Sequence, residues 1–211
     1  MKYSLAAAIA ASVVSTSAVA DLVDGSFESY PAESYSFFQD SDPHYGWATT
    51  APDHTLEIWS SWTEGVEAYH GNNFAELNAN YASTLYQDVG GLGDNSNINW
   101  HFAHRGRWGV DVMRLTITDL GYDQAWGGGD DTTLFTNEFS ADTYQWEVHY
   151  GSVNAIGNTT RFAFEAVSST GWSTTGNLID WCGFGANEVP APGAISLLAI
   201  GGLIGGRSRR R

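Results

Sequence analysis

Short runs in which polar and apolar residues alternate, separated by clusters of Gly, Asn, Asp and Ser, dominate this 211-residue chain. A period of two places successive side chains on opposite faces of a strand, so each run can bury one face and wet the other. Met113, Leu115 and Ile117 alternate with Arg114, Thr116 and Thr118, and Phe162 and Phe164 alternate with Arg161, Ala163 and Glu165. Tyr144, Trp146, Val148 and Tyr150 alternate with Gln145, Glu147 and His149 in the same way. Residues 74–78, 84–89 and 99–104 are further strand candidates, and no segment keeps a helical period long enough to count. About nine strands within residues 21–188 predict an all-β domain. Glycine-rich turns at 90–94 and 127–131 suit a jelly-roll β-sandwich better than a smaller immunoglobulin-like domain.

Composition narrows the function classes. With 43% hydrophobic, 14% aromatic and only 16% charged residues, the chain has the makings of a packed core. All 24 carboxylates lie between Asp21 and Glu188, where the cations are Arg105, Arg107, Arg114 and Arg161 with no lysine, a net charge of −20. Such a surface repels phosphates, which excludes nucleic-acid binding. It suits a soluble, salt-exposed or divalent-cation-binding protein. The single cysteine, Cys182, cannot form an intrachain disulfide, and no Cys/His spacing offers a zinc site. Cys182 reads as a small buried hydrophobe.

Both ends read as addresses. Residues 1–20 carry a basic start, an apolar stretch and Ala18-Val19-Ala20, the pattern of a secretory signal peptide, which implies export across the inner membrane. Residues 189–211 run from Pro190-Ala191-Pro192 through a small apolar segment to a cluster of arginines. The prolines set the apolar piece apart as a short helix. At about 1.5 Å per residue it reaches roughly 21 Å, short of a hydrocarbon core of about 30 Å. This tripartite tail resembles the PEP-CTERM sorting signal of Gram-negative exopolysaccharide producers, with Ala191 where glutamate is usual. The resemblance implies exosortase-like sorting machinery that reads Pro190, Ala191, Pro192, Arg209, Arg210 and Arg211. It also implies membrane contact only through the tail, with the domain on the cell surface or in the extracellular matrix.

Within the domain, Asp24-Gly25-Ser26-Phe27-Glu28 resembles the N-G-x-F-E opening of galactose-binding-like jelly rolls, and Leu178-Ile179-Asp180 resembles their closing strand. Residues 74–79, 85–88 and 102–107 resemble exported bacterial proteins of this fold, related to carbohydrate-binding modules. That resemblance implies non-catalytic carbohydrate binding and a structural calcium shared by Glu28 and Asp180, with Asp24 as a third candidate. Trp181 follows Asp180 where many relatives have a second carboxylate.

Sugar recognition needs an aromatic platform beside polar side chains, because a pyranose has an apolar face and a hydroxyl rim. Trp59, Trp62 and Tyr69 are the platform candidates, with Glu57, Asn78, His101 and Arg105 as polar partners; core packing is the alternative for each tryptophan. Arg105 and Arg107 either meet an acidic sugar or pair with Asp111, Asp88 or Glu76. Glu57, Glu76 and Asp88 are conceivable carboxylate pairs for glycoside hydrolysis. No nucleophile elbow, zinc-protease motif or phosphate-cradling loop occurs. The sequence thus predicts a non-catalytic binder of extracellular polysaccharide. A structural or adhesive matrix protein is the alternative, and a glycoside-acting enzyme has less behind it.

Overall fold

The two most regular alternations are neighbours. β7 (Asp111–Asp119) and β10 (Thr160–Ser168) pair antiparallel, with Leu115 opposite Phe164, Ile117 opposite Phe162 and Thr116 opposite Ala163. Matching residues share a face, so both apolar sets point inward and both polar sets point to solvent. β2 (Ala48–Thr49), β5 (Thr84–Val89) and β8 (Thr132–Ala141) complete a five-stranded sheet in the order β2-β5-β10-β7-β8. Against it packs a six-stranded sheet ordered β1-β3-β4-β11-β6-β9. Its strands are β1 (Tyr35–Gln39), β3 (Thr55–Ser60), β4 (Asn73–Glu76), β6 (Asn97–Arg105), β9 (Glu147–Asn154) and β11 (Leu178–Gly185).

The computed structural model describes residues 21–42, 45–93 and 95–185. The signal-peptide segment, the Pro190-Ala191-Pro192 motif, the apolar tail segment and Arg209 to Arg211 lie outside the described residues. Among those described, every regular element is one of eleven antiparallel strands, and the chain is an all-β two-sheet sandwich. The count exceeds nine because β1 and β2 carry little periodic signal: β1 alternates only between exposed and half-buried, and β2 is two residues long.

Between the sheets lies an aromatic core. Phe162 stacks on Phe184 at 4.8 Å and Phe102 meets Phe164 edge-on at 5.2 Å, joining the two layers. Burying each such ring contributes about 1.5–3 kcal/mol.

β9 turns opposite to its composition. It begins at Glu147, so Tyr144 falls in the preceding turn and is 84% exposed. Its register sets His149 opposite Phe102 and Gly151 opposite Trp100, which sends His149, Gly151 and Val153 into the core and Val148 and Tyr150 outward. Gly151 leaves room for the Trp100 indole; a Cβ there would lie 2.1 Å from its ring. His149 packs 4.5 Å from Phe139, and burial lowers its pKa. The apolar side of β9 therefore belongs to the outer face of the six-stranded sheet. There Trp59, Phe74 and Leu178 form a second apolar cluster with Val66 of the loop that joins β3 to β4.

Asp111 ties the β6–β7 and β10–β11 connections together. Wholly buried at the start of β7, its Oδ2 accepts the backbone N–H of Arg107 (2.9 Å) and Asn177 (3.0 Å), and its Oδ1 accepts that of Thr170 (2.6 Å). Three backbone donors, that of Asn177 wholly buried and those of Arg107 and Thr170 partly so, lose their acceptor if it is removed. Asp111→Ala is expected to lower the unfolding free energy by about 3 kcal/mol in equilibrium urea melts. A change within experimental error would show that these donors find other partners.

Candidate functional site

The outer face of the five-stranded sheet is polar, open and crossed by a groove. Because the register is in phase over β5, β10 and β7, its outward side chains fall into rows perpendicular to the strands. The central row is Tyr86, Ala163, Thr116 and Thr136. Ala163 is the smallest member and sits mid-sheet, so the row sinks there into a depression of about 160 Å³. One flanking row holds Asp88, Arg161 and Thr118; the other holds Thr84, Glu165, Arg114 and Glu138. At about 4.8 Å between strands, a row across four strands extends roughly 14 Å.

Trp126, on the β7–β8 connection, also borders the groove. The Arg161 guanidinium lies 3.9 Å over the Tyr86 ring and 4.9 Å from that of Trp126, while two of its nitrogens donate to the Asp88 carboxylate at 2.7 and 2.8 Å. Opposite, Arg114 donates to Glu165 (2.5 Å) and Glu138 (2.6 Å). These exposed pairs add little stability. Their geometric effect is to hold rings and carboxylates in place around a threonine floor, where Thr116 and Thr136 hydroxyls are 3.3 Å apart. The Trp126 connection has its own ties: Asp130 Oδ2 accepts the Tyr122 N–H and Asp131 Oδ2 accepts the Gly127 N–H.

Of these residues only Asp88 is singled out by the sequence, as a carboxylate; the candidate sugar-binding residues lie on the other sheet and its connections. Glu57 and Trp59 lie on its outer face but are buried, with the Trp59 indole N–H donating to Glu57 Oε1 at 2.9 Å and the Arg107 guanidinium 4.5 Å from the Trp59 ring. As a platform Trp59 is corrected: it has no exposed surface, because the 61–72 connection folds over it. Trp62 is 66% exposed on the tight turn of that connection. Asn78 is buried, its Nδ2 donating to the Ser173 carbonyl and its Oδ1 accepting from Asn177. Arg105 donates twice to the Thr143 carbonyl, at 3.1 and 2.7 Å. Besides the buried Glu57–Trp59 pair, Tyr69 and His101 come together, both against Trp181, at 5.4 and 3.9 Å between ring centroids. Arg107 pairs with Glu76 and Glu64, as the ion-pair reading expects of Glu76, and Asp88 pairs with Arg161 instead.

Glu28 and Asp180 both hold the 61–72 connection. Glu28 Oε1 accepts the N–H groups of Asn72 and Asn73, each at 2.8 Å, and Gly71 lies so close that a Cβ there would be 2.5 Å from the carboxylate. Asp180, wholly buried, accepts from His70 (2.8 Å) and Trp181 (2.6 Å). Burial, with Glu28 adding to it, pushes Asp180 up to about 7. Asp24 accepts from Ser29 at 3.2 Å, and burial, then Glu28, raises it too. Calcium takes six to eight oxygens. Among the described residues no three His, Cys, Asp or Glu side chains gather as a metal group, so side chains alone fall short of a calcium cage.

Glu57 and Glu76 face each other across β3 and β4 and are almost wholly buried. A cavity that both border holds about 10 Å³, room for one water and not for a sugar. Asp88 lies on the opposite sheet. Burial, then Glu57, pushes Glu76 up to about 8, against the pull of Arg107 at 3.0 Å and of the Gly176 N–H. The folded state thus keeps a proton that the unfolded chain loses near its ordinary value of 4.5, so this group's contribution falls as pH rises from there to about 8. His101 and His104, lowered by burial to about 4 and about 3, act in the opposite sense, but only below their ordinary 6.5. Between pH 6.5 and 8 the melting temperature is expected to fall, and Glu76→Gln to flatten the fall. A wild-type melting temperature that holds or rises over that interval contradicts this.

No family model matches the sequence, and no curated protein matches it. Solved structures do. The chain is similar to a CBM4 module at 13% identity and a TM-score of 0.42, over 78% of this chain and 98% of that one. It is similar to the C-terminal family 22 carbohydrate-binding module of Clostridium thermocellum Xyn10B at 15% identity and 0.49, over 69% and 89%. With the N-terminal cellulose-binding domain of Cellulomonas fimi β-1,4-glucanase C the values are 14% and 0.41, over 76% and 100%. These are distant likenesses of a β-sandwich, and at such scores they carry no argument about what this chain binds.

Proposed function

We propose that the protein binds an extracellular polysaccharide, without transforming it, in the groove across the five-stranded sheet. The observation that carries this is the in-phase row of Tyr86, Ala163, Thr116 and Thr136, walled by Trp126 and by fixed arginine–carboxylate pairs. Rings supply a face for the apolar side of a pyranose, and threonine hydroxyls with charged side chains supply hydrogen bonds to its rim. A depression open along a row suits a chain rather than a small compact ligand. The galactose-binding-like jelly roll, export, cell-surface or matrix placement, and sorting through the PEP-CTERM-like tail belong to the same proposal and rest on the sequence.

The purified protein is expected to retain at least one polysaccharide from a panel of xylan, mixed-linkage β-glucan, galactomannan and alginate. Trp126→Ala and Tyr86→Ala are each expected to weaken that binding at least tenfold, about 1.4 kcal/mol. Absence of binding across the panel, or binding that both variants leave intact, overturns the reading and favours a structural or adhesive matrix protein.

The structural calcium at Glu28 and Asp180 joins the proposal, supported by the mutual repulsion of two carboxylates of which one is wholly buried. Glu28 Oε2, the remaining lone pairs of the Asp180 carboxylate and nearby backbone carbonyls would hold it. Calcium is expected to raise the melting temperature and Asp180→Asn to remove the rise; equal values in calcium and in chelator contradict it.

A further inference from the structure

We propose a second sugar site on the opposite face of the sandwich, a pocket beside Trp181 that takes one neutral pyranose. It stands on different residues from the groove and does not depend on it.

The site begins with a β-bulge. Along β11 and β6 the register passes from Asp180 opposite Ala103 to Gly183 opposite His101, so Trp181 and Cys182 together face Phe102. Trp181 takes a φ of +50°, a left-handed backbone that bulky side chains avoid. The extra residue keeps Cys182 and Phe184 in the core while Asp180 and Trp181 both turn outward. Bulges re-aim side chains in this way beside binding sites. The indole fills no place in the core, since Cys182 does that, so the core does not account for the strain.

Its neighbours hold the ring still. The rings of His101, Tyr69 and Tyr150 lie 3.9, 5.4 and 6.0 Å from it, and Tyr69 continues the aromatic run to Trp146 at 6.5 Å. Trp181 remains half-exposed and borders a pocket of about 240 Å³ with Asp21, Ser26, His70 and the Gly183 backbone. Asp21 is fixed at that rim, since its Oδ1 accepts the N–H of Leu22 at 2.7 Å and of Phe184 at 3.4 Å. At about 240 Å³ the pocket has room for one pyranose ring. An indole wall matches the apolar face of a pyranose, and a carboxylate, a hydroxyl and an imidazole match its hydroxyls. Asp21 and the acidic surface repel a uronate, which favours a neutral sugar over an acidic one.

The test follows the indole N–H signals of the purified protein by NMR during titration with methyl β-D-glucopyranoside, methyl β-D-xylopyranoside or glucuronate. The Trp181 signal, assigned by its loss in Trp181→Phe, is expected to shift with a neutral glycoside and not with glucuronate. Trp181→Ala is expected to weaken neutral-glycoside binding at least tenfold while polysaccharide retention in the groove stays as in the wild type. Should Trp181→Ala fail to fold, Asp21→Asn and His70→Ala report on the same rim and are expected to weaken the glycoside tenfold. A Trp181 signal that no neutral glycoside moves, or undiminished binding in these variants, overturns the proposal. Loss of polysaccharide retention in Trp126→Ala concerns only the groove, so the two readings fail separately.

Discussion

A six-stranded sheet with aromatic residues on both faces has to bury both, and the way this chain covers its outer face decides where a ligand can go. The inner face packs on the second sheet. The outer one carries Trp59 and Phe74, and the 61–72 connection lies over them. What keeps that connection down is a set of carboxylates accepting its backbone N–H groups: Glu28 at Asn72 and Asn73, and Asp180 at His70. Charge-assisted bonds of this kind are among the stronger ones available, and they hold down the backbone of a connection whose outer side is exposed.

From that cover the division of labour between the sheets follows. The 61–72 connection closes the six-stranded sheet over Trp59 and Phe74, and aromatic rings stay uncovered on either side of it, at Tyr35 and Phe37 on β1 and toward Tyr69, Trp181 and Tyr150. The five-stranded sheet has no such cover along its central row, so its Thr, Arg and Glu side chains face solvent. The acidity of the domain is distributed accordingly. Some carboxylates act as acceptors for buried amides, as Asp111 does, and others as partners that hold the few arginines still, as Asp88 does for Arg161.

Much of the sandwich was legible in the sequence. β7 and β10 each show complete alternation, and they sit side by side at the centre of one sheet, where burial of one face enforces the pattern. The polar halves of those same alternations, Thr116 and Thr118 with Arg161, Ala163 and Glu165, contained most of the groove, but polar residues facing solvent are the ordinary state of a strand and draw no notice. Tyr86 and Trp126 come from a separate strand and a glycine-rich connection, and only the register and the path of that connection bring them to Arg161. β9 misled because the period of two gives two faces without saying which is inner, and a glycine facing Trp100 settles it in three dimensions. Trp59 misled because a polar connection reads as solvent-exposed even when it lies flat on a ring. The bulge at Trp181 has no period of its own to reveal it.

The account's central claim is that the open face of the five-stranded sheet is the ligand surface. Backbone amide chemical-shift mapping with a soluble oligosaccharide of the polysaccharide that binds tests it most directly. The account predicts shifts concentrated at Tyr86, Thr116, Ala163 and Arg161 and at the connection carrying Trp126, whereas shifts confined to the loops at the ends of the sandwich, with that row unmoved, would contradict it.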